Sequence, residues 1–178
     1  MARVPPIDDA NHPELAGLIE RICGARRGRL INIYKLLLHS PGLAETWFAH
    51  NNAVRWKTEL DGRVREMAII RIAILTHVPY IVRQHVPALA TPEGLTLEQC
   101  AALENWQDSL LFEPRDRAVL AYADSMTSEI QVPDPVYAAL KEFFTDRQIV
   151  ELTVLIGTYN MHARVLQALE IDPETAKA

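Results

Sequence analysis

The sequence predicts an all-α fold, about eight helices around a central, buried helical hairpin. Three observations predict it. Residues 62–75, GRVREMAIIRIAIL, are apolar on nearly every side, and the run is longer than the roughly ten residues a strand reaches. Thr96…Gln99 and Thr145…Gln148 have the spacing of capping boxes, in which side chains satisfy the free N–H groups of a helix start. No segment alternates apolar and polar residues between hairpin turns.

In chain order, residues 1–12 contain Pro5 and Pro6 and read as an extended N-terminal arm. Asn11 is placed to cap a helix over 13–23, which Gly24 and Gly28 end. A short helix over 31–39 stops at Ser40-Pro41-Gly42, and another follows over 42–57. The break at Asp61-Gly62 leads into the apolar helix of residues 63–76, whose all-round hydrophobicity makes it central. Pro79 starts the second arm of the hairpin, which runs to residue 90 with a kink or a loose turn at Pro87, because proline lacks the N–H of the helical ladder. Further helices are expected over 96–106, 114–127, 132–144 and 146–169, before a polar tail at 171–178. The whole chain, 1–178, reads as one domain.

The composition sets outer bounds. With 49% hydrophobic and 23% charged residues the chain is that of an ordinary globular protein. A net charge of −5 argues against nucleic acid, whose binding needs a basic surface. No run of about 18 apolar residues is present to span a membrane, and the N-terminus lacks an apolar signal region. Cys23 and Cys100 stand alone, a usage that fits a reducing cytoplasm.

Candidate chemistry gathers in the hairpin. Glu66 projects among Ile69, Ile70 and Ala73, and the same face leads on to His77. His85 has Ile81, Val82, Ala88 and Leu89 as helical neighbours. A charge among aliphatic residues is costly unless paired. Two partners are open to Glu66: Arg63, one turn earlier, or His85, brought back by the turn at Val78-Pro79. A carboxylate on one imidazole nitrogen would fix the tautomer and leave the other nitrogen for proton transfer. Arg71 and Arg83 are embedded in the hairpin and need anionic or carbonyl partners. Arg26, Arg27 and Arg29 form a basic cluster, read either as a solvated loop or as an arm that helps bind an anion. No metal site is expected: His39, His50, His77, His85 and His162 are scattered, and Asn160 and His162 point apart at i, i+2. No serine-nucleophile motif or glycine-rich phosphate loop is present.

The stretches INIYKLLLHSPGLAETW, DGRVREMAIIRIAIL, YIVRQHVPALA and DRQIVELTVLIGTYNMHARVLQALEI, with the 19-residue interval from Glu66 to His85, resemble the carboxymuconolactone decarboxylase family, which includes alkylhydroperoxidase D-like proteins. The resemblance implies an alkylhydroperoxidase D-like helical domain that assembles as a homo-oligomer, a trimer or hexamer; Trp47, Trp56, Trp106 and Phe112 are also more large aromatics than one helical layer need cover. Peroxidase relatives carry a CxxC whose positions fall here on Val78 and Ile81, so a cysteine-dependent hydroperoxide reductase is disfavoured. Lactone decarboxylases carry a YExxxH-like pattern; Tyr80 and His85 match it, and Ile81 stands in place of the glutamate. The resemblance therefore implies a cofactor-free lyase, decarboxylase or isomerase for a small lactone or carboxylate, in the setting of aromatic compound catabolism. Glu66 and His85 would be catalytic, with Tyr80, His77, Ile81 and Arg83 around the substrate. A non-catalytic oligomer that binds a small ligand is the alternative from a different class.

Overall fold

The protein's structure, a computed structural model, describes residues 2–26 and 28–174. Arg27 of the basic cluster and residues 175–178 of the expected tail lie outside the described residues. Among those described there are nine α-helices and no strand: α1 (Ala16–Gly24), α2 (Asn32–Leu37), α3 (Pro41–Trp56), α4 (Gly62–Leu75), α5 (Pro79–His85), α6 (Leu97–Ala102), α7 (Pro114–Asp124), α8 (Asp134–Lys141) and α9 (Asp146–Ala168).

Helix α4 is the centre. Asp61 caps it, its carboxylate accepting from the Val64 N–H at 2.8 Å. Every residue from Val64 to Ala73 is buried, against α5, α7 and α9. Truncating one of its wholly buried isoleucines, such as Ile70, to alanine would cost about 2–5 kcal/mol. The charges in α4 are all partnered. Arg71 clamps both Asp124 oxygens at 2.6 and 2.8 Å and donates to the carbonyls of Leu103 and Glu104. That fork ties α4 to α7 and to the turn after α6.

The hairpin turn is a Schellman motif. The His77 N–H donates to Ile74 O and the Val78 N–H to Ala73 O, with His77 left-handed at φ 54°. Helix α9 ends the same way: Glu170 has φ 49°, its N–H donates to Gln167 O, and the Ile171 N–H donates to Leu166 O. This turn sends the chain back across the molecule and buries Ile171. Residues 171–174 are thus packed, where the sequence reads as a frayed polar tail. They run beside the N-terminal arm, where the Ala2 N–H donates to Asp172 and the Arg3 N–H to Leu169 O.

Other boundaries shift for local reasons. Pro13 opens a 3₁₀ turn, Pro13–Leu15, and α1 begins only at Ala16; Asn11 caps nothing and instead donates to Asp8. Pro87 sits inside a π turn, Val86–Ala90, and no simple kink forms. A π turn moves the carbonyl that the proline ring would strike. Both capping boxes form, at Thr96/Gln99 and Thr145/Gln148. No helix of the described residues is long and apolar enough to cross a membrane.

Candidate functional site

The turn at Val78 folds α5 against α4 and brings its two conspicuous side chains together. His85 Nδ1 lies 2.5 Å from Glu66 Oε2. The other Glu66 oxygen accepts from Arg55 Nη2 at 2.9 Å and lies 3.5 Å from Arg65 Nε. Arg65 in turn donates to Glu93 at 2.8 Å. Both arginines lie over the Trp56 ring, at 4.8 and 4.9 Å from its centroid. Glu66 has no exposed surface and His85 almost none.

Electrostatics assign the protons. Burial pushes the Glu66 carboxyl up, but His85, Arg55 and Arg65 together hold it below its ordinary value. Burial pushes the His85 imidazole down, outweighing the pull of Glu66. Two guanidiniums already balance Glu66, so a further positive charge on a desolvated ring is unfavourable. The resting pair is an ionised Glu66 accepting from Nδ1–H of a neutral His85. The other ring nitrogen, Nε2, then carries a lone pair.

His85 lines a cavity of about 90 Å³. Its walls come from α5 (Tyr80, Ile81, Gln84), α3 (Trp47, Asn51, Arg55), α9 (Tyr159, His162, Leu166) and the segment holding Arg26, Ile31, Ile33 and Tyr34. The α9 aromatics are ordered by ring contacts. Tyr159 meets His85 edge-on at 5.6 Å, and His162 stacks on Trp47 at 4.7 Å. Burial drives the His162 imidazole down to about 3, with His85 adding to the shift. Its Nε2 is buried and has no hydrogen-bond partner among the described residues. His50 stands nearby: its Nε2 donates to Thr158 Oγ1 at 2.8 Å, because that hydroxyl spends its own proton on Val154 O.

Of the residues singled out in the sequence, Glu66, His85, Tyr80 and Ile81 come together. His77 and Arg83 do not. His77 is exposed in the left-handed turn, off the apolar face of α4, where its backbone is engaged by Ile74 and Gln167. Arg83 is two residues from His85 and so faces away from it, exposed. Arg63 is not the partner of Glu66; it forms a two-pronged pair with Asp116 on α7, one contact at 2.8 Å. Of the basic cluster, Arg26 turns inward, donating to the Tyr34 hydroxyl at 3.1 Å, and Arg29 is exposed. The α3 and α9 walls went unnoticed in the sequence. Trp47, Asn51 and Arg55 at i, i+4, i+8, and Tyr159 and His162 at i, i+3, are the polar-aromatic stripes that would have pointed to them. The aromatic argument for assembly weakens, since Trp47, Trp106 and Phe112 are buried within the chain and only Trp56 is exposed.

Residues 41–125 match the model of the Carboxymuconolactone decarboxylase family. The Escherichia coli (strain K12) protein YnjA is 30% identical over 118 residues, 66% of this chain and 64% of its own length, so the match spans just under two thirds of that relative. The Bacillus subtilis (strain 168) protein YdfG is 23% identical over 115 residues, 64% of this chain and 78% of its own. Among solved structures, the alkylhydroperoxidase AhpD core protein from Ralstonia eutropha JMP134 has a TM-score of 0.82 at 21% identity, over 97% of this chain and 92% of that one. The debrominase Bmp8 in complex with 2,3,4-tribromopyrrole has a TM-score of 0.81 at 16% identity, over 98% and 95%. At those identities the likeness is one of fold. Residues 41–125, which hold Glu66 and His85, match the carboxymuconolactone decarboxylase family, and the chain has an alkylhydroperoxidase D-like helical fold.

Proposed function

We propose that the chain is a cofactor-free acid–base enzyme, a decarboxylase or isomerase, that moves a proton on a small lactone or carboxylate in the cavity beside His85. One observation carries the reading: the 2.5 Å contact of Glu66 with His85 Nδ1, buried, at the wall of a cavity. Glu66 orients the ring and stabilises the imidazolium that forms. With Nδ1–H committed to Glu66, His85 enters an isomerisation as a base. Its Nε2 takes a proton from carbon next to a carbonyl, and the electron pair moves into that carbonyl. The imidazolium then returns the proton to a second carbon. In a decarboxylation the proton reaches His85 from solvent and is delivered to the carbon that CO₂ leaves. The Tyr159 phenol, kept protonated by burial, lines the same cavity and is placed as donor to the developing enolate oxygen. Trp47, Tyr159 and His162 give the cavity aromatic walls suited to a planar molecule, and the structurally similar debrominase also binds a small ring.

Thiol chemistry is the weaker reading. The motif positions are Val78 and Ile81, and neither Cys23 nor Cys100 lines the cavity. Burial, and for Cys100 also the Glu66 charge, pushes both thiols up, away from thiolate. We further propose homo-oligomerisation, supported by the exposed apolar stripe Val150, Val154 and Met161 on α9.

The test is proton exchange into small lactones and carboxylates in D₂O, followed by mass spectrometry. Wild type is expected to incorporate deuterium, and folded Glu66→Gln and His85→Ala to be slower by about 10²–10⁴. Full exchange by those variants sinks the reading.

A further inference from the structure

The returning segment 171–174 brings Glu174 against two side chains that line the cavity. Glu174 Oε1 accepts from the Tyr80 hydroxyl and from the Asn32 N–H, each at 2.7 Å, and Oε2 accepts from the Gln84 side-chain amide. Tyr80 and Gln84 are one turn apart on α5, and both line the cavity that holds His85. Arg26 lines it too, with its buried Nε unpartnered. Tyr80 is buried, and burial together with the Glu174 charge keeps its phenol protonated, a permanent donor. The segment is aimed there by structure on both sides. The Schellman turn at Glu170 reverses the chain, Ile171 is buried, and Asn32 Nδ2 donates to Asp172 O at 2.9 Å.

We propose that Tyr80, Gln84 and the Asn32 N–H form a carboxylate-binding subsite at the cavity, that Glu174 fills it in the free protein, and that a substrate carboxylate displaces Glu174 on entry. Three donors converge on two oxygens from two directions, the arrangement a carboxylate needs. Glu174 is therefore an internal competitor of the ligand. Opening the subsite raises apparent affinity by the inverse of the fraction of protein already open. The proposal rests on the acid–base reading only in calling the ligand a substrate; binding is measurable without turnover.

The probes are benzoate and its neutral analogue benzamide, titrated calorimetrically into the full chain, Glu174→Ala, and Glu174→Ala with Tyr80→Phe. Circular dichroism checks that each is folded. Glu174→Ala is expected to bind benzoate about tenfold more tightly than wild type and benzamide no better. Adding Tyr80→Phe is expected to remove most of that gain. Saturating benzoate is also expected to speed amide exchange of Ile171, Asp172 and Glu174 in wild type, a readout that needs no variant. Unchanged benzoate affinity in Glu174→Ala, an equal gain for benzamide, or no benzoate binding to the opened variant each overturns the subsite. None of these outcomes touches the Glu66–His85 pair, which the deuterium assay tests separately.

Discussion

His162, buried and unpartnered at Nε2, is expected to make the protein acid-labile. The imidazole is buried against Trp47 and Tyr159, with Nε2 unpartnered, and its pKa falls from 6.5 to about 3. The folded-state value lies below the unfolded one. The contribution is therefore complete above about pH 6.5 and is lost as pH falls toward 3. Between about pH 7 and pH 4.5 the unfolded chain binds nearly one proton more at this site, which removes roughly 2–3 kcal/mol of stability. The perturbation is His162→Phe, which keeps a planar ring on Trp47 and leaves no hydrogen bond unmade; such a swap costs less than about 1.5 kcal/mol at neutral pH. Urea unfolding at both pH values reads the difference of differences. His85, also pushed down, acts in the same direction but is common to both proteins and cancels. The variant is expected to lose roughly 2–3 kcal/mol less than wild type between the two pH values. Equal losses would refute the claim that the fold holds His162 neutral.

Two glycines give a test of opposite signs. A Cβ on Gly62 would fall 1.5 Å from Glu93 Oε2 and 2.1 Å from its Cδ, so Gly62→Ala must displace the carboxylate that Arg65 holds. It is expected to destabilise by about 1 kcal/mol, overpacking outweighing the helix-propensity gain. Gly157, exposed in α9 with nothing within 4 Å, is expected to stabilise by about 0.5–1 kcal/mol as alanine. Thermal melts check both, and the same sign for the two would contradict the Gly62 geometry. Cys23→Ala with Cys100→Ala is expected to leave deuterium exchange unchanged, and its loss would restore the thiol reading.

The parts of the fold written locally were legible. The break at Asp61-Gly62, the Pro79 restart and both capping boxes are signals within a few residues, and each is found in the structure. The all-round hydrophobicity of α4 correctly put it at the centre. Spacing left Glu66 open to Arg63 or His85, and the 19-residue interval of the resemblance favoured His85; a short turn leaves α5 little choice but to pack on α4. What spacing could not supply was the rotation of distant helices about their axes. Arg63 lies one turn from Glu66, yet it tilts outward to Asp116 on α7. Arg55 lies eleven residues before Glu66 across a loop and supplies the charge instead. Trp47 and His162 meet only because α3 packs on α9, a relation no local pattern records. Glu174 reaches Tyr80 through a left-handed Glu170, a residue type that does not announce such a turn.

The proton-transfer account stands on the state of one ring. Long-range ¹H–¹⁵N correlation spectra of the His85 side chain read its tautomer directly, without a substrate. The account predicts a neutral ring at about pH 7, protonated on Nδ1 and bare on Nε2, which becomes doubly protonated only below the usual histidine range. An Nε2–H tautomer, or an imidazolium already formed at about pH 7, would contradict it.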